Sequence, residues 1–516
     1  MIKKSLLVGG TLLFLLILTG CPMEPDFGVI SFPKEIPEDS VDDTPPFKDV
    51  SYLGQLQDAL DDDTTNNIRI VDNITLAGIS IIPKQKKVEI MPQKNLTISA
   101  PITIEGSVNI MENALLTITE AGTITGSINI MDDADMLVQS ELTFESPESV
   151  FTVEPRGRVL VEEGGNITAE GKTLIKGQFS LGNNAQMTAT DIFKMDGELT
   201  LHYGATLILG NAASGGVNGT ITVLKGGHIW DQAQNGGWAW RDQGTGKIVF
   251  QYGSYASLGT PANNGDVPQN IIDSVFSTGV QLVLTSTASQ LTIKKDEYFL
   301  EGDAVLAEDY SVANTLRLSR GVLKTSAGKK FSVMSGGNLI IENQGILEVD
   351  KETAGELQGI IEVKSGGKYL DEGGVLFPEN TGDTGSVIFN TGATGKIKDA
   401  EIGANQAGTA QGMLQMEDGK IQLKKDECLL SGKAKLVKDC SVKKLILEPS
   451  SVLIIEGAVL TVSGSASLAG SGSGDTASQI TLLNNKSQVA FNDTSETITG
   501  PKTIAWRPVE TGTWQN

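Results

Sequence analysis

The fold is decided by the hexapeptide Gly106-Ser107-Val108-Asn109-Ile110-Met111, which returns twenty residues later as Gly126-Ser127-Ile128-Asn129-Ile130-Met131. Apolar and polar residues alternate within each copy, and this period of two predicts a short strand with one buried face. Looser copies of the pattern begin at Gly177 and Gly197. A unit of this size is too small to bury its own apolar face, so the units must stack on one another.

The same alternation continues along most of the chain from residue 68, in short runs separated by Gly, Asn and Asp. Before it, residues 51–60 have the pattern of a helix, because Leu53, Leu56 and Leu60 share one face and Ser51 is placed to cap the N-terminus. The sequence therefore predicts a short helix followed by an all-β stack of strands.

A longer repeat lies over the short one. Residues 293–302 return 130 residues later as residues 423–432, and residues 219–231 match residues 359–371. Whole blocks of several turns have been copied, which lengthens a stack of turns, whereas a single catalytic cleft does not need copying. The predicted body, residues 51–516, contains duplicated blocks at about 219–290, 291–420 and 421–516.

This pattern resembles the right-handed parallel β-helix of pectin-lyase-like and bacterial surface proteins. The segments that look like the capping helix and first turns of such proteins are Leu56-Gln57-Asp58-Ala59-Leu60, Ile74-Thr75-Leu76 and Ile79-Ser80-Ile81-Ile82-Pro83. The resemblance covers residues 51–516 and implies an all-β, right-handed parallel β-helix (a β-solenoid) with a short N-terminal capping helix. The rival architecture is a row of β-sandwiches of about 130 residues each.

The N-terminal segment has the layout of a secretory signal. Lys3 and Lys4 precede an apolar run that is too short to span a bilayer. The run ends in Leu18-Thr19-Gly20-Cys21, which resembles the bacterial lipobox. This resemblance implies that residues 1–20 are removed as a lipoprotein signal peptide and that Cys21 is acylated, with palmitate among the acyl chains, and anchors the protein to a membrane. The alternative is a plain signal peptide with a chance cysteine.

Residues 21–50 combine six prolines with several acidic residues. Proline fixes φ and removes backbone donors, and like charges repel one another, so this stretch is predicted to be an extended tether. The alternative is that part of it lies along the body.

The composition excludes several classes of function. A formal net charge of −23 argues against nucleic acid as a partner. Two histidines and three cysteines leave little room for a zinc, haem or iron–sulfur site, so no cofactor and no metal is expected. The densest acidic group among the repeats is Asp132, Asp133 and Asp135, which is interpreted as a solvated turn in preference to a calcium site.

Two cysteines stand in the body, Cys428 and Cys440, and the corresponding residues of the preceding copy are Tyr298 and Tyr310. Both positions changed together, which suggests that they face each other. Because an exported compartment permits disulfides, we predict a structural disulfide, with two buried thiols as the alternative. A catalytic cysteine would need a nearby histidine, and the chain offers only His202 and His228.

Aromatic residues concentrate in one glycine-rich segment that departs from the repeat. Paired aromatic faces suit sugar rings or partner side chains, so this segment is a candidate binding platform, with packing over the core as the alternative. The candidate residues are Trp230, Trp238, Trp240, Tyr252 and Tyr255.

The function that the sequence favours is a non-enzymatic interaction or adhesion module of the cell envelope. It would be held to the membrane by the lipid on Cys21, at the outer membrane or cell surface, and would bind a glycan or protein ligand. The first alternative is a polysaccharide lyase or glycosidase of the β-helix class, although the few arginines form no evident constellation with carboxylates. The second is a purely structural envelope component.

Overall fold

The computed structural model describes residues 46–505 of the 516-residue chain except 79, 211, 233–244, 252–253, 259–270, 275–283, 287–289, 295–296, 307–308, 372, 375, 377–383, 398–399, 405–413, 425–426, 465, 469–477, 492–495 and 500–501. These residues form one helix and many short strands. The helix, α1 (Leu53–Asp61), is neither long nor apolar enough to cross a lipid bilayer, and the described residues contain no other candidate span.

The strands before residue 275 are β1 (Lys48–Val50), β2 (Asn67–Ile70), β3 (Ile74–Leu76), β4 (Ser80–Ile82), β5 (Lys87–Ile90), β6 (Asn95–Ile98), β7 (Ile102–Ile104), β8 (Ser107–Ile110), β9 (Leu115–Ile118), β10 (Gly122–Ile124), β11 (Ser127–Ile130), β12 (Asp135–Val138), β13 (Glu141–Phe144), β14 (Val150–Val153), β15 (Arg158–Val161), β16 (Asn166–Ala169), β17 (Lys172–Ile175), β18 (Gln178–Leu181), β19 (Gln186–Ala189), β20 (Ile192–Met195), β21 (Glu198–Leu201), β22 (Thr206–Leu209), β23 (Ser214–Val217), β24 (Thr220–Val223), β25 (His228–Asp231), β26 (Lys247–Phe250), β27 (Tyr255–Leu258) and β28 (Ile271–Ser274).

The later strands are β29 (Leu284–Ser286), β30 (Gln290–Lys294), β31 (Glu297–Glu301), β32 (Ala304–Leu306), β33 (Tyr310–Val312), β34 (Thr315–Thr325), β35 (Phe331–Val333), β36 (Asn338–Ile341), β37 (Gly345–Val349), β38 (Ile360–Val363), β39 (Lys368–Asp371), β40 (Ser386–Asn390), β41 (Thr394–Ile397), β42 (Ala400–Ala404), β43 (Leu414–Lys424), β44 (Glu427–Leu436), β45 (Cys440–Val442), β46 (Lys444–Leu447), β47 (Val452–Ile455), β48 (Val459–Val462), β49 (Ala466–Leu468), β50 (Gln479–Leu482), β51 (Gln488–Phe491), β52 (Glu496–Thr499) and β53 (Lys502–Ala505).

The strands wind into a parallel β-solenoid, as predicted. In the first part of the solenoid, each strand pairs in parallel with the strand one turn later, so this part has three strands in each turn and three faces. Face 1 consists of β1-β2-β5-β8-β11-β14-β17-β20-β23, face 2 of β3-β6-β9-β12-β15-β18-β21-β24-β26, and face 3 of β4-β7-β10-β13-β16-β19-β22-β25-β27.

The two copies of the hexapeptide lie one above the other in face 1, where Ile128 pairs with Val108 and Ile130 with Ile110. The looser copies at Gly177 and Gly197 lead instead into β18 and β21, which belong to face 2. All three faces have the same alternation of apolar and polar residues, so a sequence comparison aligned strands that occupy different faces.

The core is a stack of apolar side chains that point inward from all three faces. In face 1, Val108, Ile128 and Phe151 follow one another in register and are fully buried. Fully burying a side chain of this size contributes roughly 1.5–3 kcal/mol. The neighbouring turn provides this burial, which explains why the pattern must repeat.

Two kinds of corner let the turns lie close together. At the corner after face 1, Gln93, Asn113 and Asp133 have φ values of 63°, 58° and 57°. The amide of Gln93 donates to the carbonyl of Asn113, and the amide of Asn113 donates to that of Asp133. Short polar side chains such as Asn and Asp tolerate this left-handed conformation, which explains their frequency at the corner.

The corner before face 1 needs glycine because two turns touch there. A Cβ atom on Gly126 would lie 1.9 Å from the carbonyl oxygen of Gly106, and one on Gly106 would lie 2.2 Å from that of Lys86. The repeated glycine of the hexapeptide is therefore required by the spacing between turns.

The helix packs against the first turn of the solenoid with Leu56, Ala59 and Leu60 buried. It begins at Leu53, two residues later than predicted, and no side chain caps its N-terminus. The prediction for Ser51 was wrong, because its hydroxyl and its amide both donate to the side-chain oxygen of Gln55. Strand β1 lies in the last residues of the predicted tether, yet it pairs with β2 and belongs to the solenoid.

A buried lysine holds the C-terminal end of the helix. Lys86 is 2% exposed, and its Nζ donates to the carbonyl oxygens of Ala59, Asp62 and Thr65 at 3.2, 2.5 and 2.6 Å. The last carbonyls of a helix lack hydrogen-bond donors within it and carry partial negative charge. An ammonium group donates hydrogen bonds to these carbonyls and compensates their charge.

Among the described strands, the direction reverses at two places within the solenoid that the sequence did not predict. Antiparallel pairs also occur near its C-terminal end, where β53 pairs with β50 and β52 with β51. At the first of the two places, β30 is antiparallel to both β26 and β31. At the second, β43 is antiparallel to both β40 and β44. These reversed strands lead into the duplicated segments 293–302 and 423–432. After each one, parallel pairing resumes in the original direction, since β31 pairs in parallel with β34 and β44 with β46.

We predict that Gly126→Ala lowers the free energy of unfolding by roughly 1–3 kcal/mol, because the new methyl group forces two turns apart. Chemical denaturation followed by circular dichroism measures the change. Gly78→Ala is the matched control, since a Cβ on Gly78 meets nothing within 4 Å. Equal stability of the two variants would contradict the glycine corner.

Candidate functional site

The outer surface of face 2 carries two rows of side chains that run along the stacked turns. Residues directly opposite each other in successive parallel strands lie about 4.8 Å apart. The first row is Leu115, Asp135, Arg158, Gln178 and Glu198, and the second is Thr117, Leu137, Leu160, Ser180 and Thr200.

A groove of about 600 Å³ lies over these rows, and we call it the lateral groove. It is lined by Leu115, Asp135, Met136, Leu137, Arg158, Val159, Leu160, Gln178, Phe179, Ser180, Glu198, Thr200 and His202. Leu160 is 40% exposed and stands between Leu137 and Ser180 in the second row. The groove thus combines apolar area with amide and hydroxyl groups that can form hydrogen bonds.

Among its described lining residues, the lateral groove contains one ion pair and one further carboxylate. Arg158 donates two hydrogen bonds to the carboxylate of Asp135, at 2.7 and 2.8 Å, and this contact raises the pKa of Arg158. The ring Nε2 of His202 lies 3.1 Å from the hydroxyl of Ser180. Glu198 is the second carboxylate of the groove. The arrangement suits a ligand that offers both apolar and hydroxyl surface.

The acidic group beside the groove forms the predicted turn. Asp133 has a left-handed backbone, and Asp135 begins strand β12. Arg156 of the next turn contacts the carboxylates of Asp132 and Asp133 at 3.4 and 3.2 Å. The described residues contain no group of three or more His, Cys, Asp or Glu side chains arranged to hold a metal ion.

Two of the candidate aromatic residues, Trp230 and Tyr255, lie in strands of face 3, whereas the lateral groove lies over face 2. Trp230 is half-buried on the outer side of β25 in face 3, and its ring stacks on His228 with centroids 6.2 Å apart. Burial lowers the pKa of His228. Tyr255 stands opposite His228 in β27. Trp238, Trp240 and Tyr252 lie outside the described residues, so the binding platform stays a prediction.

The two cysteines of the body line one small apolar cavity. Cys428 in β44 and Cys440 in β45 border a space of about 30 Å³ together with leucine, isoleucine and valine side chains. Burial, together with the nearby Cys440, raises the pKa of Cys428 to about 12. The corresponding Tyr298 and Tyr310 are buried as well. Both cysteines are thiols in this structure, and the disulfide stays a prediction.

Sequence reasoning missed the lateral groove because its residues come from five successive turns. Each outward residue looks like an ordinary exposed position within its own strand. The available signal was the pair Leu137 and Leu160, which are apolar residues at a position where the preceding turn has Thr117.

Comparisons with known proteins do not identify a family for this chain. No protein-family model and no curated protein matches the chain. Among solved structures, the chain is similar to the TibC-catalyzed hyper-glycosylated TibA55-350 fragment, at 13% sequence identity, over 66% of this chain and 98% of that one, with a TM-score of 0.21. The fold described above rests on the strand pairings of this chain itself.

We predict that Cys428 and Cys440 form a disulfide in the exported protein. Alkylation after denaturation should then label neither cysteine without reductant and both with it, as read by peptide mass mapping. In the reduced native protein, labelling of Cys428 should be slow near pH 8 and rise as the pH approaches 12, because the raised pKa keeps the thiolate scarce. Labelling of both cysteines without reductant would contradict the predicted disulfide.

Proposed function

We propose that this protein is a lipid-anchored, non-enzymatic interaction module of the cell envelope that binds an elongated ligand along its lateral groove. The observation that carries the proposal is the groove itself, since it runs along the direction in which the turns stack. A ligand with its own repeat, such as a glycan chain or an extended protein segment, can contact several turns at once.

The residues that line the lateral groove favour ligand binding over catalysis. Catalysis of glycoside cleavage requires a pair of carboxylates with distinct roles on either side of the scissile bond. Among the groove residues, Asp135 is held by two hydrogen bonds from Arg158, and Glu198 is the second carboxylate. Leu137 and Leu160 instead offer flat apolar area next to the polar side chains of Gln178 and Ser180. This combination suits recognition of a surface that is apolar and hydroxylated.

The anchor of the proposed module is the lipid on Cys21, followed by the proline-rich tether. Several acyl chains hold a protein stably at a membrane, since each buried CH₂ contributes roughly 0.8 kcal/mol. A position at the outer membrane or cell surface would place the lateral groove where external ligands reach it.

We predict that Cys21→Ser releases the protein from the membrane fraction, because serine cannot take the thioether-linked lipid. Metabolic labelling with palmitate, followed by fractionation, measures the loss.

Protease treatment of intact cells should degrade the wild-type protein, whereas a periplasmic marker survives. A protected wild-type protein would contradict surface exposure, and unchanged labelling of the variant would contradict the anchor.

We predict that Leu160→Asp weakens binding of the full chain to a polysaccharide by about tenfold, because it places a charge on the apolar part of the groove. Affinity electrophoresis through gels that contain dextran, xylan or polygalacturonate measures the retardation. Leu483→Asp is the matched control, since Leu483 is 45% exposed and lies outside the groove. If any of these polymers retards the wild-type protein and Leu160→Asp equally, the groove is not its binding site.

A further inference from the structure

The first strand reversal brings two lysines face to face. In the antiparallel pair of β26 and β30, Ile248 stands opposite Ile293 and Val249 opposite Thr292, so Lys247 stands directly opposite Lys294. Ile248 and Leu291 are buried, whereas Lys247 is exposed and Lys294 half-buried, so both lysines are on the outer side. Like charges at directly opposite positions destabilise a sheet.

The described carboxylates nearby bind arginines and form no ion pair with these lysines. Glu297 stands opposite Lys294 in β31, and its carboxylate is bound by Arg317, which also binds Glu342. Glu301 is bound by Arg320. Within the described residues, neither Lys247 nor Lys294 forms an ion pair, and the ammonium group of Lys294 lies 4.7 Å above the ring centroid of Phe299. In a chain with a net charge of −23, two lysines at directly opposite positions without an ion-pair partner among the described residues are a local exception.

A recess of about 260 Å³ lies between these side chains. It is lined by Lys247, Gln290, Thr292, Lys294, Phe299, Glu301 and Ser319. The amide of Gln290 and the hydroxyl of Thr292 can donate hydrogen bonds, whereas the hydroxyl of Ser319 already donates to the carbonyl of Leu300. Phe299 supplies the aromatic surface.

The second reversal also has a strand that is antiparallel to both of its neighbours, but it carries a different set of side chains. There, β40 and β43 place Ser386 opposite Lys424, and Leu429 takes the position of Phe299. One lysine remains, and both the second lysine and the aromatic ring are missing. The lysine pair is therefore not required by the reversal itself, which provides an internal control for its role.

We propose that the recess at the first reversal binds an organic oxyanion, with its carboxylate or sulfate group between Lys247 and Lys294 and its carbon frame against Phe299. Charge-assisted hydrogen bonds from two ammonium groups favour an oxyanion, and binding relieves the repulsion between the lysines. The recess lies outside the lateral groove, so the inference does not depend on the proposed function.

The test is lysine footprinting of the full chain by reductive dimethylation, with benzoate and sulfate as probes. Benzoate should protect Lys247 and Lys294 but not Lys424. Lys247→Gln should weaken the protection of Lys294 by benzoate about tenfold, because it removes one of the two charge-assisted contacts. Lys424→Gln, the matched control, should leave that protection unchanged. Sulfate should protect the same two lysines only at higher concentration, since it has no apolar face.

The stability of the ligand-free protein gives a second readout. Lys247→Gln should raise the midpoint of thermal unfolding at low salt and have no effect at high salt, because the repulsion is screened there. Two results of the footprinting would overturn the site. The first is that benzoate protects Lys424 to the same extent as Lys294, and the second is that it still protects Lys294 in the Lys247→Gln variant. Equal protection by sulfate and benzoate would overturn the organic character of the ligand.

Discussion

The parallel stacking of one turn on the next is the constraint on which the remaining structure depends. A three-stranded turn has no interior of its own, so Val108, Ile128 and Phe151 are buried only because they follow one another in register. The same contact limits the corners. Gly126 leaves room for the carbonyl of Gly106, and Asn113 accepts the left-handed conformation that a tight turn requires.

The sequence predicted the repeat, the parallel stack and the short helix, because period-two alternation and the spacing of the hexapeptide are local properties of the chain. It did not predict what depends on several turns together. The copies at Gly177 and Gly197 belong to another face, since nothing in the alternation distinguishes the faces. The lateral groove was not predicted for a related reason, because Leu137 and Leu160 become neighbours only once their turns are stacked.

Charges on the outer surface are arranged across turns more than within them. Arg158 reaches Asp135 in the previous turn, and Arg317 bridges Glu297 and Glu342 from the turns on either side of its own. Opposite charges in successive strands stabilise a sheet, whereas like charges destabilise it. An acidic protein can therefore stack its turns without strong repulsion where arginine and lysine alternate with carboxylates. Lys247 and Lys294 depart from this rule.

Each reversal restores the direction of the strands after one antiparallel segment, as the pairings of β31 with β34 and of β44 with β46 show. A block that begins and ends with the same polarity can be inserted or excised without changing how its neighbours pair. The similar segments 293–302 and 423–432, which lie 130 residues apart, mark the repeat of one such block. The length of the solenoid can therefore change by whole blocks while the remaining turns keep their pairing.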